Sequence, residues 1–174
     1  MILDIARLLL FPALMAFAAA SDLFTMTISN RVSLALVAGF LVLALLTGMA
    51  PYEILSHVGA GAAVLAVAFA CFAMGWVGGG DAKVAAGAAL WFGFGHLFDY
   101  LLYASLFGGA LTLMLLQFRQ WPLPQALGSQ TWLLRLHDKE TGIPYGIALA
   151  IGALMIYPET DWIKAVDLTH FAIH

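Results

Sequence analysis

Charge is what this sequence has least of. Only 10% of its 174 residues are Asp, Glu, Lys or Arg, and seven basic residues against ten acidic ones leave a net charge of −3. No basic stripe is present to meet a phosphate backbone, so no nucleic-acid partner is expected. Cysteine is nearly absent too. Cys71 stands alone inside an apolar run, which rules out an internal disulfide and a CxxC metal motif and suits a small buried hydrophobe. No repeat of fixed period and no second domain can be discerned. Against these absences stands a hydrophobic fraction of 63%, where an ordinary soluble domain is near half, and a mean hydropathy of +0.97. The chain reads as a single all-α domain, polytopic in a lipid bilayer.

A span needs about 17–25 mostly apolar residues. Segments 2–21, 32–50, 54–75, 82–96, 98–118 and 143–158 qualify, which predicts about six transmembrane helices. The fourth and sixth are short, so they require a thinned bilayer or polar ends within it. The first does not read as a cleaved leader, because Asp4 precedes Arg7 and a clear positive start is missing. Orientation follows from the basic residues in short loops. Arg31, Lys83, Arg119, Arg135 and Lys139 fall on one side, Arg7 and Lys164 on the other. The former side is therefore expected in the cytoplasm, with both termini outside.

This parity sorts the acids. An ionisable group within or bordering the hydrocarbon is costly and points to function. Asp22 ends the first span and Asp81 precedes the fourth, so both are expected on the cytoplasmic face at similar depth. Asp4, Glu53, Asp99, Glu159, Asp161 and Asp167 fall on the opposite face, while Asp138 and Glu140 sit in the polar stretch "RLHDKETG" as solvated loop charge. Two carboxylates brought close cannot both ionise cheaply. One keeps a proton while the other stays charged, and together they can activate a water and protonate a carbonyl oxygen. In "WVGGGDAKV", Gly78, Gly79 and Gly80 permit unusual backbone angles and a close main-chain approach, and Asp81 then meets the N–H groups of a helix start.

These residues carry a resemblance. "GGGD" (78–81) is similar to the GxGD signature of intramembrane aspartyl proteases. "SDLFTMTISNRVSL" (21–34) resembles the segment after the first helix of type IV prepilin peptidases, and "GIPYGIALAIGAL" (142–154), with Pro144, Tyr145 and Gly146, resembles the start of their last helix. The nearest likeness is to the small prepilin peptidases of tight-adherence (Flp-type) pilus systems. The resemblance implies Asp22 and Asp81 as catalytic aspartates, and Gly78 and Gly80 as the signature glycines. It also implies cleavage of pilin precursors at the cytoplasmic face of a bacterial inner membrane, after a glycine that ends a short basic leader, beside the pilus secretion machinery. Ser29 stands where the family commonly has proline before Asn30, and "LFTMT" lacks the basic residues often found there. The large cytoplasmic loop with paired cysteines is absent, which implies no N-methyltransferase activity. No metal or organic cofactor is expected.

Other features have plainer readings. Asn30 suits a helix cap, Lys83 a topology anchor or a partner of Asp81, and Pro144 a helix first turn. His57, His96 and His137 are expected at surfaces or interfaces, as are His170 and His174, whose i, i+4 spacing lacks a third ligand. Within the loop 118–141, "TWLLRLHDKE" predicts a short amphipathic helix on the cytoplasmic surface. Within the tail 158–174, Trp162, Ile163, Val166, Leu168 and Phe171 predict a helix along the outer interface. The alternative function is a proton- or cation-coupled transporter using Asp22 and Asp81, with the glycine-rich break before the fourth span as part of its ion site.

Overall fold

The structure, a computed structural model, describes residues 1–123 and 130–166, and these are all-helical with no strand. The helices are α1 (Ile2–Thr25), α2 (Asn30–Leu46), α3 (Pro51–Ala73), α4 (Gly79–Phe118), α5 (Thr131–His137), α6 (Tyr145–Ile156) and α7 (Asp161–Lys164), with a 3₁₀ turn at Tyr157–Glu159 between the last two. Three of them, α1, α3 and α4, are long and apolar enough to cross a membrane by length and composition; α2 and α6 are shorter apolar helices. His170, His174, Leu168 and Phe171 of the sequence reading lie outside the described residues, as does Asp167.

Local chemistry explains several boundaries. α1 closes on Met26, whose left-handed backbone (φ 54°) lets its N–H reach the Asp22 carbonyl at 2.8 Å. α3 opens with Pro51 in its first turn, where the missing N–H costs nothing, and the Glu53 carboxylate accepts the Ala50 N–H at 3.2 Å. At α2 the expected cap is displaced by one residue. The Ser29 hydroxyl accepts the Arg31 N–H at 3.3 Å, which leaves the Asn30 side chain free for a distant partner.

The predicted division of the fourth and fifth spans near residue 97 is also displaced. A continuous helix of the 40 residues of α4 would measure about 60 Å, yet Asp81 near its start and Thr112 near its end line one groove together with Tyr145. The chain reverses at Gly93, the only non-helical residue inside α4 (φ 57°, ψ −172°). Its cause is remote in sequence. A Cβ on Gly93 would lie 2.9 Å from His57 Nε2, and the His57 ring is fixed by Nδ1 at 2.8 Å from the Leu90 carbonyl and by stacking on Phe40. His57 is thus a half-buried wedge of the bundle and not the surface residue expected. Gly93→Ala should cost at least about 2 kcal/mol, since it adds an overlap to a backbone region that essentially only glycine occupies. A lowered thermal midpoint in detergent checks this, with Gly95→Ala, whose Cβ meets nothing within 4 Å, as the control.

Aromatic packing holds the centre. Phe11 lies 5.1 Å from Trp91 and 4.6 Å from Tyr157, ring to ring, and Trp162 lies 5.2 Å from Trp91. Trp91 Nε1 donates to the Leu36 carbonyl at 3.0 Å and Trp162 Nε1 to the Trp91 carbonyl at 2.9 Å, so each indole's polar atom is satisfied on burial. Trp162, expected on an interfacial face, is therefore a core residue at 5% exposure. Its ring pins the segment after α6 against the turn at Gly93.

Candidate active site

α1 delivers Asp22 from its last turn, and burial leaves it 5% exposed. A buried carboxylate needs a donor, and the one present is the Gly146 N–H at the start of α6, 2.7 Å from Asp22 Oδ2. This contact spans 124 positions of sequence. Only glycine permits it, because a Cβ on residue 146 would stand 2.9 Å from Asp22 Oδ2 and 2.8 Å from Ile28 Cδ1. Pro144, fully buried, caps α6, and Tyr145 extends sideways so that its hydroxyl lies 3.1 Å from Thr112 Oγ1 on the returning arm of α4.

Asp81 is the third residue of α4, after Gly78 as cap, and its carboxyl group turns back toward the Gly78 peptide N–H. A Cβ on Gly78 would lie 2.8 Å from Asp81 Oδ2. Gly80 has a different task. Its virtual Cβ meets Ile28 Cβ at 3.3 Å and the Ile28 backbone at 3.5 Å, so the turn after α1 presses directly on the start of α4. Gly79 faces the Phe72 ring at 3.2 Å. The turn itself is tied by the Ser21 hydroxyl, which donates to the Thr27 carbonyl at 2.9 Å, and by the Thr25 hydroxyl, which donates to the Ser21 carbonyl at 2.7 Å.

Asp22 and Asp81 are thus linked through Ile28, which packs against both Gly80 and Gly146, and neither acid makes a salt bridge among the described residues. Lys83 does not join them. Its Nζ donates to Asn30 Oδ1 at 2.8 Å, joining the starts of α2 and α4 beside the acids. Glu53 and Asp161 gather with Arg7, His57 and His96 around a separate cavity of about 560 Å³ that also includes Gly93. No group of three metal-ligating side chains is found among the described residues.

The sequence reading missed two residues. Ile28 fills the space between Gly80 and Gly146, the two glycines that flank the acids; only its apolarity within a polar turn signals this. Arg119, read as a loop charge, is 7% exposed, and its Nε and Nη2 donate to the Leu136 and Gly142 carbonyls at 2.8 and 2.9 Å. The guanidinium fork ties the end of α4 to the segment that leads into Gly146. α5 completes this corner, with Trp132 edge-on to Phe24 of α1 at 5.7 Å. Arg119→Ala should loosen that segment and lower activity about tenfold, since two carbonyls lose charged donors at about 1–3 kcal/mol each. Arg119→Lys, which can reach one carbonyl but not both, should fall between; initial rates in one activity assay give the order.

These features define an all-helical, apolar protein with two buried or half-buried acids held at one end by glycine-lined backbone. The sequence model of the type IV leader peptidase family matches residues 9–113, and the chain belongs to that family. The match includes Asp22, Asn30, the 78–81 run and Lys83; Pro144, Tyr145 and Gly146 lie beyond it. No curated protein and no solved structure matches the chain.

Proposed function

We propose that this peptidase removes leader peptides from Flp- or type IV pilin-like precursors at the cytoplasmic face of a bacterial inner membrane, with Asp22 and Asp81 as its catalytic pair. The observation that supports the reading is the convergence on Ile28 of Gly80, the neighbour of Asp81, and of Gly146, whose N–H holds Asp22, with neither acid in a salt bridge among the described residues. An ion pair would fix both acids as charged, whereas two unpaired carboxyls in poor solvent share a proton. The ionised member then deprotonates a water, the protonated member donates to the scissile carbonyl oxygen as it gains charge, and the roles reverse when the amine leaves. No covalent intermediate is needed.

In this reading the chain spans the membrane about six times, counting the two arms of α4 separately, with both termini outside. The transporter alternative would use the same two acids and the glycine-rich break at 78–80; the family match favours the peptidase over it. The test is cleavage of a pilin precursor by the purified protein in lipid nanodiscs, read as a mass shift and a new N-terminus. A single cut after the glycine that ends the leader is the expected result; an intact precursor sinks the reading.

A further inference from the structure

We propose that the groove between α3, both arms of α4 and α6 seats the apolar helix of the substrate, a single membrane-spanning segment with basic residues at its cytoplasmic end. This rests on the peptidase reading and adds which face of the enzyme the substrate uses. The groove encloses about 930 Å³ and is lined along its length by Val67, Cys71, Ala85, Leu101, Gly109 and Leu149. Asp81 stands at one end with Tyr145 and Thr112 beside it. A peptide bond delivered to Asp81 is continuous with whatever apolar segment follows it, and that segment must run from Asp81 into the hydrocarbon. This groove begins at Asp81 and continues in that direction.

A second apolar groove, of about 630 Å³ between α2, α3 and the first arm of α4, ends instead at Lys83 and Asn30 and does not include Asp81. Charge separates the two. Asp81, at the end of the first groove, makes no salt bridge among the described residues, so that groove complements an apolar helix followed by cations, while Lys83 would repel that same flank. Gly109 also leaves space for a close backbone approach, since a Cβ there meets nothing within 4 Å.

Cys71 supplies a native reporter within the groove. The probe is a designed precursor with a basic leader ending in glycine, then about 20 apolar residues, with a single cysteine moved stepwise through the first turns after the bond. Wild-type enzyme cutting it and Asp22→Asn failing to cut it tests the peptidase reading by itself. The trapped complex with Asp22→Asn then tests the groove: oxidation should form a disulfide from Cys71 to one helical face of the probe, absent in Cys71→Ser. Gly109→Trp should raise KM for the precursor about tenfold, whereas Leu41→Trp in the second groove should leave it unchanged. If wild type cuts the probe but no position crosslinks to Cys71, or if Gly109→Trp leaves KM within twofold, lipid fills this groove and the substrate lies elsewhere.

Discussion

Asp22→Asn and Asp81→Asn should each abolish leader cleavage, by at least about a thousandfold, while the bundle stays folded. Asparagine has nearly the volume of aspartate, and its carbonyl oxygen can still accept the Gly146 N–H that holds residue 22 at 2.7 Å or face the Gly78 N–H beside residue 81. Packing around Ile28, Gly80 and Gly146 is therefore retained. What disappears is proton exchange. An amide can neither take a proton from water nor donate one and recover, so loss of either member removes both the base and the acid of the pair. Each of those contributions is about 10²–10⁴-fold in rate. Thermal melts in detergent should match wild type within a few degrees, and cleavage by mass spectrometry should fall to background. Full processing by either variant removes that residue from the chemistry and leaves its burial unexplained.

Legibility in the sequence divides along the range of the interactions. The all-helical character and the apolar segments follow from composition and run length, which act locally. Asp22 and Asp81 stand out because ionisable residues are conspicuous in so apolar a chain, and counting the spans between them puts them at the same depth. The displaced features all depend on remote partners. The reversal at Gly93 is marked locally only by the glycines at 93 and 95 of an apolar stretch, and His57, which occupies the space of its missing Cβ, comes from another helix. Trp162 has the spacing of an interfacial residue, and only its docking on the Trp91 carbonyl makes it core. Arg119 and Lys83 both read as topology charges because one sequence cannot reveal carbonyls at 136 and 142 or an amide at 30 converging on them. Of the last-helix motif, the sequence shows a helix start at Pro144. That the next peptide N–H but one is the ligand of Asp22 follows only from the fold.

That ligand gives the second large effect. Gly146→Ala, the addition of one methyl group, should lower cleavage at least about a hundredfold with the chain still inserted. The new Cβ would lie 2.9 Å from Asp22 Oδ2, 3.0 Å from Asp22 Cβ and 2.8 Å from Ile28 Cδ1, well inside ordinary carbon contact distances of about 3.5–4.0 Å. Something must move by most of an ångström. α6 is held by Pro144 and by Gly152, whose own virtual Cβ stands 2.7 Å from the Ala104 backbone nitrogen, so it cannot retreat without unpacking from α4. The Asp22 carboxylate and Ile28 must yield instead. A displacement of about 1 Å at a catalytic group can cost about a hundredfold in rate, and here it also breaks the hydrogen bond that aims the carboxylate. Gly142→Ala provides the contrast. It lies four residues earlier, in the connection that leads into α6, and its virtual Cβ meets nothing within 4 Å, so its rate should stay within about twofold of wild type, as for a substitution whose side chain touches nothing. Equal rates for the two alanine variants would mean that the Gly146 contact does not position Asp22 during turnover.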